Sequence, residues 1–154
     1  VGEVLARPGE ITDSIFIVAD GVGRSSYLNG DKEYTTGFGT RGTVMISYHS
    51  FFMGEPTFYQ LDVCCKSLIM EIPKSHYEYM VRRSHEFTRW MLGHCNGQLY
   101  CYEMRDRIIN GTVQERYRAL VRNRAELLQK VPLKQIATYL GITPQYLSVL
   151  RGKV

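Results

Sequence analysis

The last twenty-two residues, 133–154, have the pattern of two short helices joined by a tight turn. Ala137 is small where the second helix would pass closest, and Gly141 falls at the turn, where a positive φ is cheap only without a Cβ. Thr143 and Pro144 supply a hydroxyl N-cap and a proline at the first helical position. One shared apolar face is expected from Ile136, Leu140, Ile142, Leu147 and Leu150. The pattern is typical of a helix-turn-helix that enters the major groove of DNA, with an ordinary helical hairpin ending in a glycine C-cap as the alternative.

The charge of the chain is distributed unevenly. Residues 105–154 contain 10 Lys or Arg against 3 Asp or Glu, a net +7, whereas residues 1–104 contain 9 against 12, a net −3. A basic part joined to a mildly acidic remainder is expected when only one part meets phosphate. The alternative is a solvated helical face rich in arginine, so the charge favours DNA binding only together with the helix pattern.

The cysteines and histidines lack the spacing of a metal site or of a disulfide framework. Cys64 and Cys65 are adjacent, Cys95 and Cys101 stand six apart, and no Cys-x-x-Cys occurs. No catalytic constellation is recognisable either, so we predict neither an enzyme nor a metal-binding protein. A redox or haem sensor that uses Cys64, Cys95 or His76 is the alternative.

The length of the chain, 154 residues, allows one substantial core, or a core domain with a small appendage. No run of eighteen apolar residues occurs and the N-terminus does not resemble a signal peptide, so we expect a soluble cytoplasmic protein without a membrane partner. The sequence starts at Val1 without an initiator methionine, and we expect residues upstream of it to be missing.

Residues 1–73 read as β structure, with short apolar runs separated by turn signals such as Asn29-Gly30. Alternation is clearest late in this zone, where Leu68, Met70 and Ile72 are expected to share one face. Before them, one face is expected to carry Tyr59, Leu61, Val63 and Cys65, and the other Gln60, Asp62, Cys64 and Lys66. Many short strands at this spacing predict a barrel, a sandwich or a roll.

Residues 74–110 have a helical pattern without an internal proline. Residues at spacings of three or four form a heptad-like stripe: Met80, Ser84, Phe87, Met91, Cys95, Gln98, Tyr102, Arg105 and Ile109. A long helix of this kind is explained most simply by pairing with its own copy, and Gly93 and Gly97 would let two backbones approach closely. The predicted dimer contacts are Phe87, Met91, Cys95, Gln98 and Tyr102. The alternative is a helix packed lengthwise on the β zone.

Residues 111–154 are predicted to form a compact helical domain. Gly111 ends the long helix, and Thr112 with Glu115 forms a capping box that starts the next one. Further core positions of this domain are expected at Tyr117, Leu120, Val121, Leu127 and Leu128, and Pro132 opens the first helix of the helix-turn-helix.

The order of these three zones resembles the Crp/Fnr family of bacterial transcription regulators. The segment from Gly9-Glu10 to Asp20-Gly21 looks like the opening of that family's cyclic-nucleotide-binding β-roll, and Gly54-Glu55 falls where its phosphate-binding cassette begins. Residues 115–117 and 131–148 resemble the branch common in Bacteroides-like bacteria. The resemblance implies an α+β fold with a jelly-roll-like double-stranded β-roll over residues 1–73, a dimerisation helix over 74–110 and a helix-turn-helix domain over 111–154. The implied partners are double-stranded DNA, a second copy of the chain and RNA polymerase. The alternative function is a ligand-binding module whose helical tail contacts a protein instead of DNA.

The cassette departs from the family pattern. Binding of a cyclic phosphate relies there on an arginine and a hydroxyl shortly after Gly-Glu, because a buried anion needs a paired charge and donors. This sequence has no arginine between Arg41 and Arg82, and Lys66 is the only cation nearby. The implied effector pocket consists of Gly54, Glu55, Thr57, Phe58 and Tyr59. We expect cyclic AMP to bind weakly or not at all, and the sequence names neither another effector nor a bound cofactor.

The second helix of the motif also departs from the family. The positions that read base edges there are held here by Pro144, Gln145, Ser148 and Val149. Gln145 could read adenine and Val149 could touch a thymine methyl group, whereas arginine, the best reader of guanine, is absent from these positions. The full set expected at DNA is Lys134, Thr143, Pro144, Gln145, Tyr146, Ser148, Val149, Arg151 and Lys153, with Arg151 and Lys153 on phosphates.

Overall fold

The computed structural model describes residues 1–109 and 111–152, without the side chains of 105–109. Within these ranges the strands are β1 (Val4–Ala6), β2 (Ser14–Asp20), β3 (Gly23–Asn29), β4 (Lys32–Gly39), β5 (Val44–Met45), β6 (Gln60–Val63) and β7 (Leu68–Pro73). The helices are α1 (Tyr48–Met53), α2 (Lys74–Arg83), α3 (His85–Ile109), α4 (Val113–Asn123), α5 (Ala125–Lys130), α6 (Leu133–Leu140) and α7 (Pro144–Arg151). The predicted α+β class is confirmed. Lys153, an expected DNA contact, and Asn110 lie outside the described residues.

Two antiparallel sheets form the β part. The larger sheet has the strand order β1-β6-β3-β4 and the smaller sheet has the order β5-β2-β7. A core between them is built by residues from both sheets: Ala6, Phe16, Val18, Met45 and Leu61. The two sheets therefore pack face to face, as a roll or sandwich requires.

Helices cover the outer faces of both sheets. The smaller sheet turns Ile15 and Val44 towards Phe51 of α1 and Met91 of α3. A third core contains Phe38 of β4, with Val22 and Cys64 next to the ends of β3 and β6. The chain from α4 onwards contributes Tyr117, Leu120, Leu127, Val131, Ile136, Ala137, Leu140, Leu147 and Leu150. The C-terminal helices therefore dock on the larger sheet of the same chain, and the main elements form successive layers.

The two sheets approach each other closely at Gly23 of β3. A Cβ at this position would overlap the thioether of Met45 on β5. Because only glycine leaves that space, Gly23 lets the buried Met45 side chain lie against the backbone of the opposite sheet.

An ion pair is buried in the larger sheet. Arg24 of β3 donates through Nε to Asp62 Oδ1 at 2.9 Å and through Nη2 to Oδ2 at 2.6 Å. Gln60 Nε2 donates to the same Oδ2 at 2.6 Å, and Glu33 Oε1 lies 3.0 Å from Arg24 Nη2. Burial alone would lower the pKa of Arg24, but the hydrogen bond and charge of Asp62 raise it above its ordinary value, so the guanidinium stays charged.

The helical pattern of residues 74–110 is interrupted, whereas its apolar spacing predicts a continuous helix. Ser84 has an extended conformation, with φ −120° and ψ 106°, between α2 and α3. Its N–H donates to Met80 O at 2.8 Å, and its Oγ accepts from Phe87 N–H at 3.1 Å. Ser84 therefore ends one helix and caps the next, which divides the predicted stripe after its first turns.

The late β zone differs from the expected pattern in three places. Helix α1 lies inside the predicted β zone, with Ser47 as its N-cap and Gly54 as its left-handed C-cap at φ 72°. On β7 the expected shared face is only partly covered, because Leu68 and Met70 are exposed whereas Ile72 packs on the helices. On β6 both expected faces are buried, from Leu61 to Cys64, since both sides of the larger sheet are covered.

None of the helices in ranges 1–109 and 111–152 is long and apolar enough to cross a membrane.

Candidate nucleic-acid interface and ligand cavity

The turn between α6 and α7 has the predicted geometry. Gly141 adopts a left-handed conformation with φ 70°, and the Ile142 N–H donates to Ala137 O at 3.0 Å. Thr143 caps α7 by accepting from Tyr146 N–H at 3.2 Å, and Pro144 occupies the first helical position. The predicted turn and capping roles of Gly141, Thr143 and Pro144 are confirmed, since each supplies a backbone conformation or acceptor that the turn requires.

The two helices bury one face and expose the other. Their buried residues are Ile136, Ala137, Leu140, Leu147 and Leu150, and Ile142 is half-buried beside them. Among the residues expected at DNA, the exposed ones are Lys134, Thr143, Gln145, Tyr146, Ser148, Val149 and Arg151, whereas Pro144 is half-buried. The exposed side of α7 thus has a polar and a cationic group on a rigid element.

Two of these exposed side chains, Ser148 and Tyr146, form hydrogen bonds within the chain. Ser148 Oγ donates to Pro144 O at 3.1 Å, inside its own helix, and Tyr146 Oη accepts from Gln114 Nε2 of α4 at 3.3 Å. Gln145 lies in the first turn of α7, and Val149 lies one turn later with 52% of its surface exposed. Gln145 and Val149 are therefore the side chains best placed to meet another surface.

The capping box at the start of α4 is confirmed. Thr112 Oγ1 accepts from Glu115 N–H at 3.3 Å, and Glu115 Oε2 accepts from Thr112 N–H at 2.7 Å. The bond from the Thr112 N–H, together with one from Thr112 Oγ1 to Glu115 Oε2 at 2.9 Å, lowers the pKa of the Glu115 carboxyl because both favour its charged form. The box fixes where the C-terminal helices begin after α3.

The predicted dimer stripe of α3 lies against the β part of its own chain. Phe87 and Met91 pack with the smaller sheet, and Met91 is only 7% exposed. Cys95 is half-buried, and Gln98 and Tyr102 line a cavity in the roll. The alternative of a helix packed on the β zone therefore describes this face of α3, and a seam between two copies would need the opposite face.

The opposite side of α3 is exposed and mixes apolar side chains with polar ones, among them Arg89, Asn96 and Glu103. It presents Trp90, Leu92, Leu99 and Tyr100, with 42–66% of each residue exposed. Gly93 and Gly97 lie on the exposed surface between them, and a Cβ built on either would touch nothing within 4 Å. We refer to these six residues as the outer face of α3.

A cavity of about 290 Å³ opens where α3 passes the roll. We call it the inner cavity. Its polar lining consists of Ser25, Thr36, Thr43, Tyr48, His49, Tyr59, Gln98 and Tyr102, beside backbone and apolar groups such as Gly37 and Met45. No Lys, Arg, Asp or Glu stands among the described residues that line it. Sequence reasoning missed this site because its walls come from strands and from a helix about fifty residues further along the chain.

Titratable groups beside the inner cavity are held neutral. Burial raises the pKa of Tyr48 to about 12, with smaller contributions from Cys95 and Tyr102. Burial lowers the pKa of the nearby His94, although a hydrogen bond with the Val44 backbone partly opposes the shift. The neutral forms of a phenol and an imidazole therefore flank the contact between α3 and the roll.

The residues of the implied effector pocket line a separate outer groove, of about 860 Å³. Glu55 Oε2 lies 3.0 Å from His49 Nε2, and Phe58 stacks on the His49 ring at 4.4 Å between centroids. Thr57 and Tyr59 also line the groove, whereas Gly54 caps α1. His49 and Tyr59 line both the groove and the inner cavity, so the two sites adjoin.

The hydroxyl of Thr57 is already engaged. Thr57 is 2% exposed, and its Oγ1 accepts from Tyr59 N–H at 3.1 Å and lies 3.2 Å from Tyr59 O. Lys66 lies in the turn between β6 and β7 and lines neither site. Thr57 and Lys66 supply the hydroxyl and the cation nearest in sequence to Gly54-Glu55. Neither group is placed to bind a phosphate in these sites.

The residues of the redox or haem alternative occupy three different environments. Cys64 is buried under the C-terminal helices, where burial raises its pKa to about 12. Cys95 is half-buried on α3 and His76 is exposed on α2. In the part of the chain that the structure describes, no three His, Cys, Asp or Glu residues are grouped to hold a metal ion.

No protein-family model matches this chain, and no curated protein matches it by sequence. Its fold is similar to that of FixK2 from Bradyrhizobium japonicum, with a TM-score of 0.78 and 17% identity over 99% of this chain and 79% of the other. A transcriptional regulator of the CRP family from Thermus thermophilus has a TM-score of 0.74 at 13% identity, with 99% and 80% covered. The c-di-GMP-responsive global regulator CLP of Xanthomonas campestris has a TM-score of 0.70 at 16% identity, over 99% of this chain and 82% of the other. At such identities the likeness shows the fold, and the fold of this chain is the β-roll with C-terminal helices seen in regulators of the Crp/Fnr type.

Proposed function

We propose that this protein is a DNA-binding transcription regulator of the Crp/Fnr type, with α6 and α7 as its helix-turn-helix. The observation that carries the proposal is α7, a helix capped by Thr143 whose inner side is buried and whose outer side exposes Gln145, Val149 and Arg151. A rigid helix with this division can enter a major groove without unfolding its own core. The net +7 of residues 105–154 supports attraction to phosphate.

Reading contacts and positioning contacts in α7 can be separated by two variants. We expect Gln145→Ala to cost roughly 1–3 kcal/mol on the preferred site while non-specific binding changes little. We expect Arg151→Ala to weaken binding to all duplexes alike and to lower the slope of log affinity against log salt by about one unit. Fluorescence anisotropy with a selected operator and with scrambled DNA, over a salt series, measures both.

The wild type supplies the decisive control in the same titration. If it binds neither duplex in a salt-dependent way, the C-terminal helices serve another partner and the proposal fails. If Gln145→Ala loses affinity equally on both duplexes, Gln145 does not read bases, and sequence preference has to come from DNA shape or from Val149.

A second copy of the chain completes the proposed regulator. The outer face of α3 has apolar side chains around two glycines, which allows close approach of a symmetry-related helix. Two copies would present two α7 helices to successive major grooves. The proposed dimer interface is therefore not the stripe that contains Met91, because the smaller sheet of the same chain covers that stripe. It is the side of α3 that contains Leu92 and Leu99. Contact with RNA polymerase is part of the proposal through the family resemblance.

The proposed effector is an uncharged small molecule that binds in the inner cavity. Hydroxyl and amide groups, namely those of Ser25, Thr36 and Gln98, can bond a polar ligand, whereas no described lining residue offers a bidentate cation. Burying a phosphate there would leave its charge unpaired, which is costly.

Cyclic AMP is accordingly expected to bind at least roughly a hundredfold more weakly than a site with a paired arginine would allow. Isothermal titration calorimetry with cyclic AMP, and with adenosine as the uncharged control, measures this directly. A micromolar or tighter dissociation constant for cyclic AMP, with no heat from adenosine, would show that the phosphate is recognised and would contradict the proposed ligand class.

A further inference from the structure

The outer groove, of about 860 Å³, has two aromatic walls. On the side of the larger sheet, the Tyr27 ring meets the Tyr59 ring edge to face at 6.1 Å between centroids. On the side of α1, the Phe58 ring stacks on His49 at 4.4 Å. Phe58 is nevertheless 62% exposed. Exposed aromatic surface in a concave place is typical of a ligand site.

The segment that carries Phe58 is held in place by the chain around it. The Gly9 N–H donates to Thr57 O and the Thr57 N–H donates to Glu10 O, both at 2.9 Å. Thr57 Oγ1 accepts from the Tyr59 N–H at 3.1 Å, and Thr57 is 2% exposed. These bonds fix the backbone on both sides of Phe58. A ligand therefore finds the rings already ordered, which lowers the entropic cost of binding.

The charge of the outer groove is negative. Glu55 supplies the one carboxylate among the described residues that line it, and none of these residues is a lysine or an arginine. The Glu55 side chain is 64% exposed, and its Oε2 lies 3.0 Å from His49 Nε2. A carboxylate can accept several hydrogen bonds, so the contact with His49 leaves acceptor sites free. A cationic ligand is attracted to this groove, whereas an anionic one is repelled.

An ammonium group of the chain itself already lies over a neighbouring ring. Lys32 Nζ is 5.2 Å from the centroid of the Tyr34 ring, and Tyr34 stacks on Tyr27 at 5.4 Å with 14° between the ring planes. The attraction arises because the face of an aromatic ring is negative. Lys32 does not line the outer groove and is exposed, so solvent and salt weaken its repulsion of a second cation.

We propose that the outer groove binds a small organic cation, whose ammonium group lies beside Glu55 and whose methyl or methylene groups pack on Tyr27, Phe58 and Tyr59. Aromatic rings around a site of this kind recognise substituted ammonium groups. The proposal goes beyond the proposed effector, which is uncharged and binds in the inner cavity. It does not depend on DNA binding.

Choline tests the proposal against a neutral molecule of the same shape. Dimethylbutanol, the analogue with a carbon atom in place of the quaternary nitrogen, keeps the apolar contacts and lacks the charge. Isothermal titration calorimetry of the full chain at low ionic strength should show choline binding at least about tenfold more tightly than this alcohol. Equal affinities, or no heat from choline up to concentrations on the order of 10 mM, would overturn the proposal.

Two variants locate the bound cation. Phe58→Leu keeps an apolar side chain but removes the ring, and Glu55→Gln removes the charge but keeps the size. Each should weaken choline binding about fivefold, and neither residue lines the inner cavity. The matched controls are Phe52→Leu, whose ring is 52% exposed on α1 outside the groove, and Glu71→Gln on β7. Both controls should bind choline like the wild type.

The remaining outcomes are distinct. If all four variants bind choline with wild-type affinity, the cation lies elsewhere on the chain and the outer groove is not its site. If Glu55→Gln weakens binding but Phe58→Leu does not, the attraction is electrostatic alone and the proposed aromatic contact is wrong. Circular dichroism verifies that each variant keeps the fold. A wild type that binds no DNA would contradict the proposed function and would leave these expected results unchanged.

Discussion

Replacement of Asp62 by alanine is expected to lower the free energy of unfolding by about 3–5 kcal/mol, because it leaves the charge of Arg24 buried without its main partner. Arg24 is 4% exposed and Asp62 3% exposed, so water cannot replace the lost carboxylate. Glu33, at 3.0 Å, can satisfy only Nη2 of the guanidinium. Urea denaturation followed by circular dichroism measures the loss.

Two further variants make this prediction specific. Glu33→Gln changes the net charge in the same direction as Asp62→Ala, but its carboxylate is partly solvated, so a loss below about 1 kcal/mol is expected. The double variant Arg24→Met/Asp62→Leu removes both charges and should recover most of the stability lost by the single change. A single variant as stable as the wild type would show that Glu33 or solvent takes over the whole role of Asp62.

Leu99→Lys is expected to convert the proposed dimer into a monomer. A symmetric interface contains every substitution twice, so two unpaired ammonium groups would enter one apolar seam. We expect the dissociation constant of the dimer to increase on the order of a hundredfold, measured by sedimentation equilibrium.

Leu68→Lys is the matched control for this experiment. Leu68 has the same residue type and a similar exposure, 65% against 66%, but it lies on β7 outside the outer face of α3. This variant should associate like the wild type. If Leu99→Lys stays dimeric, the two copies meet through another surface, and the outer face of α3 has a different partner.

Local signals in the sequence predicted the local geometry well. Gly141 with Thr143, and Thr112 with Glu115, satisfy backbone groups within a few residues of themselves, so their roles need no knowledge of distant contacts. Ser84 could have been recognised by the same rule, since it follows the basic end of α2 and caps α3. Ser84 was not recognised as a helix end because it is also a member of the heptad-like stripe, whose spacing continues from α2 into α3.

Positions that depend on tertiary packing could not be predicted in the same way. The stripe of α3 contains an apolar residue, Met91, that would fit a partner helix or the chain's own sheet equally well. Periodicity identifies an apolar side but not what covers it. Likewise, nothing local in Thr57 shows that its hydroxyl bonds to Tyr59, and nothing local in Gln98 shows that it reaches a cavity formed by β3, β4 and β5.

The contact of Met45 with the backbone at Gly23 has a consequence for which ligands the roll can accept. Met45 is also part of the inner cavity wall, and its unbranched thioether occupies the space that a side chain at Gly23 would otherwise fill. Methionine rotates about three bonds with little strain, so this wall can be reshaped while both sheets stay in register. Selection for a new effector could therefore act through single substitutions around one pliable side chain, without a change in the strands that connect the cavity to the DNA-binding helices.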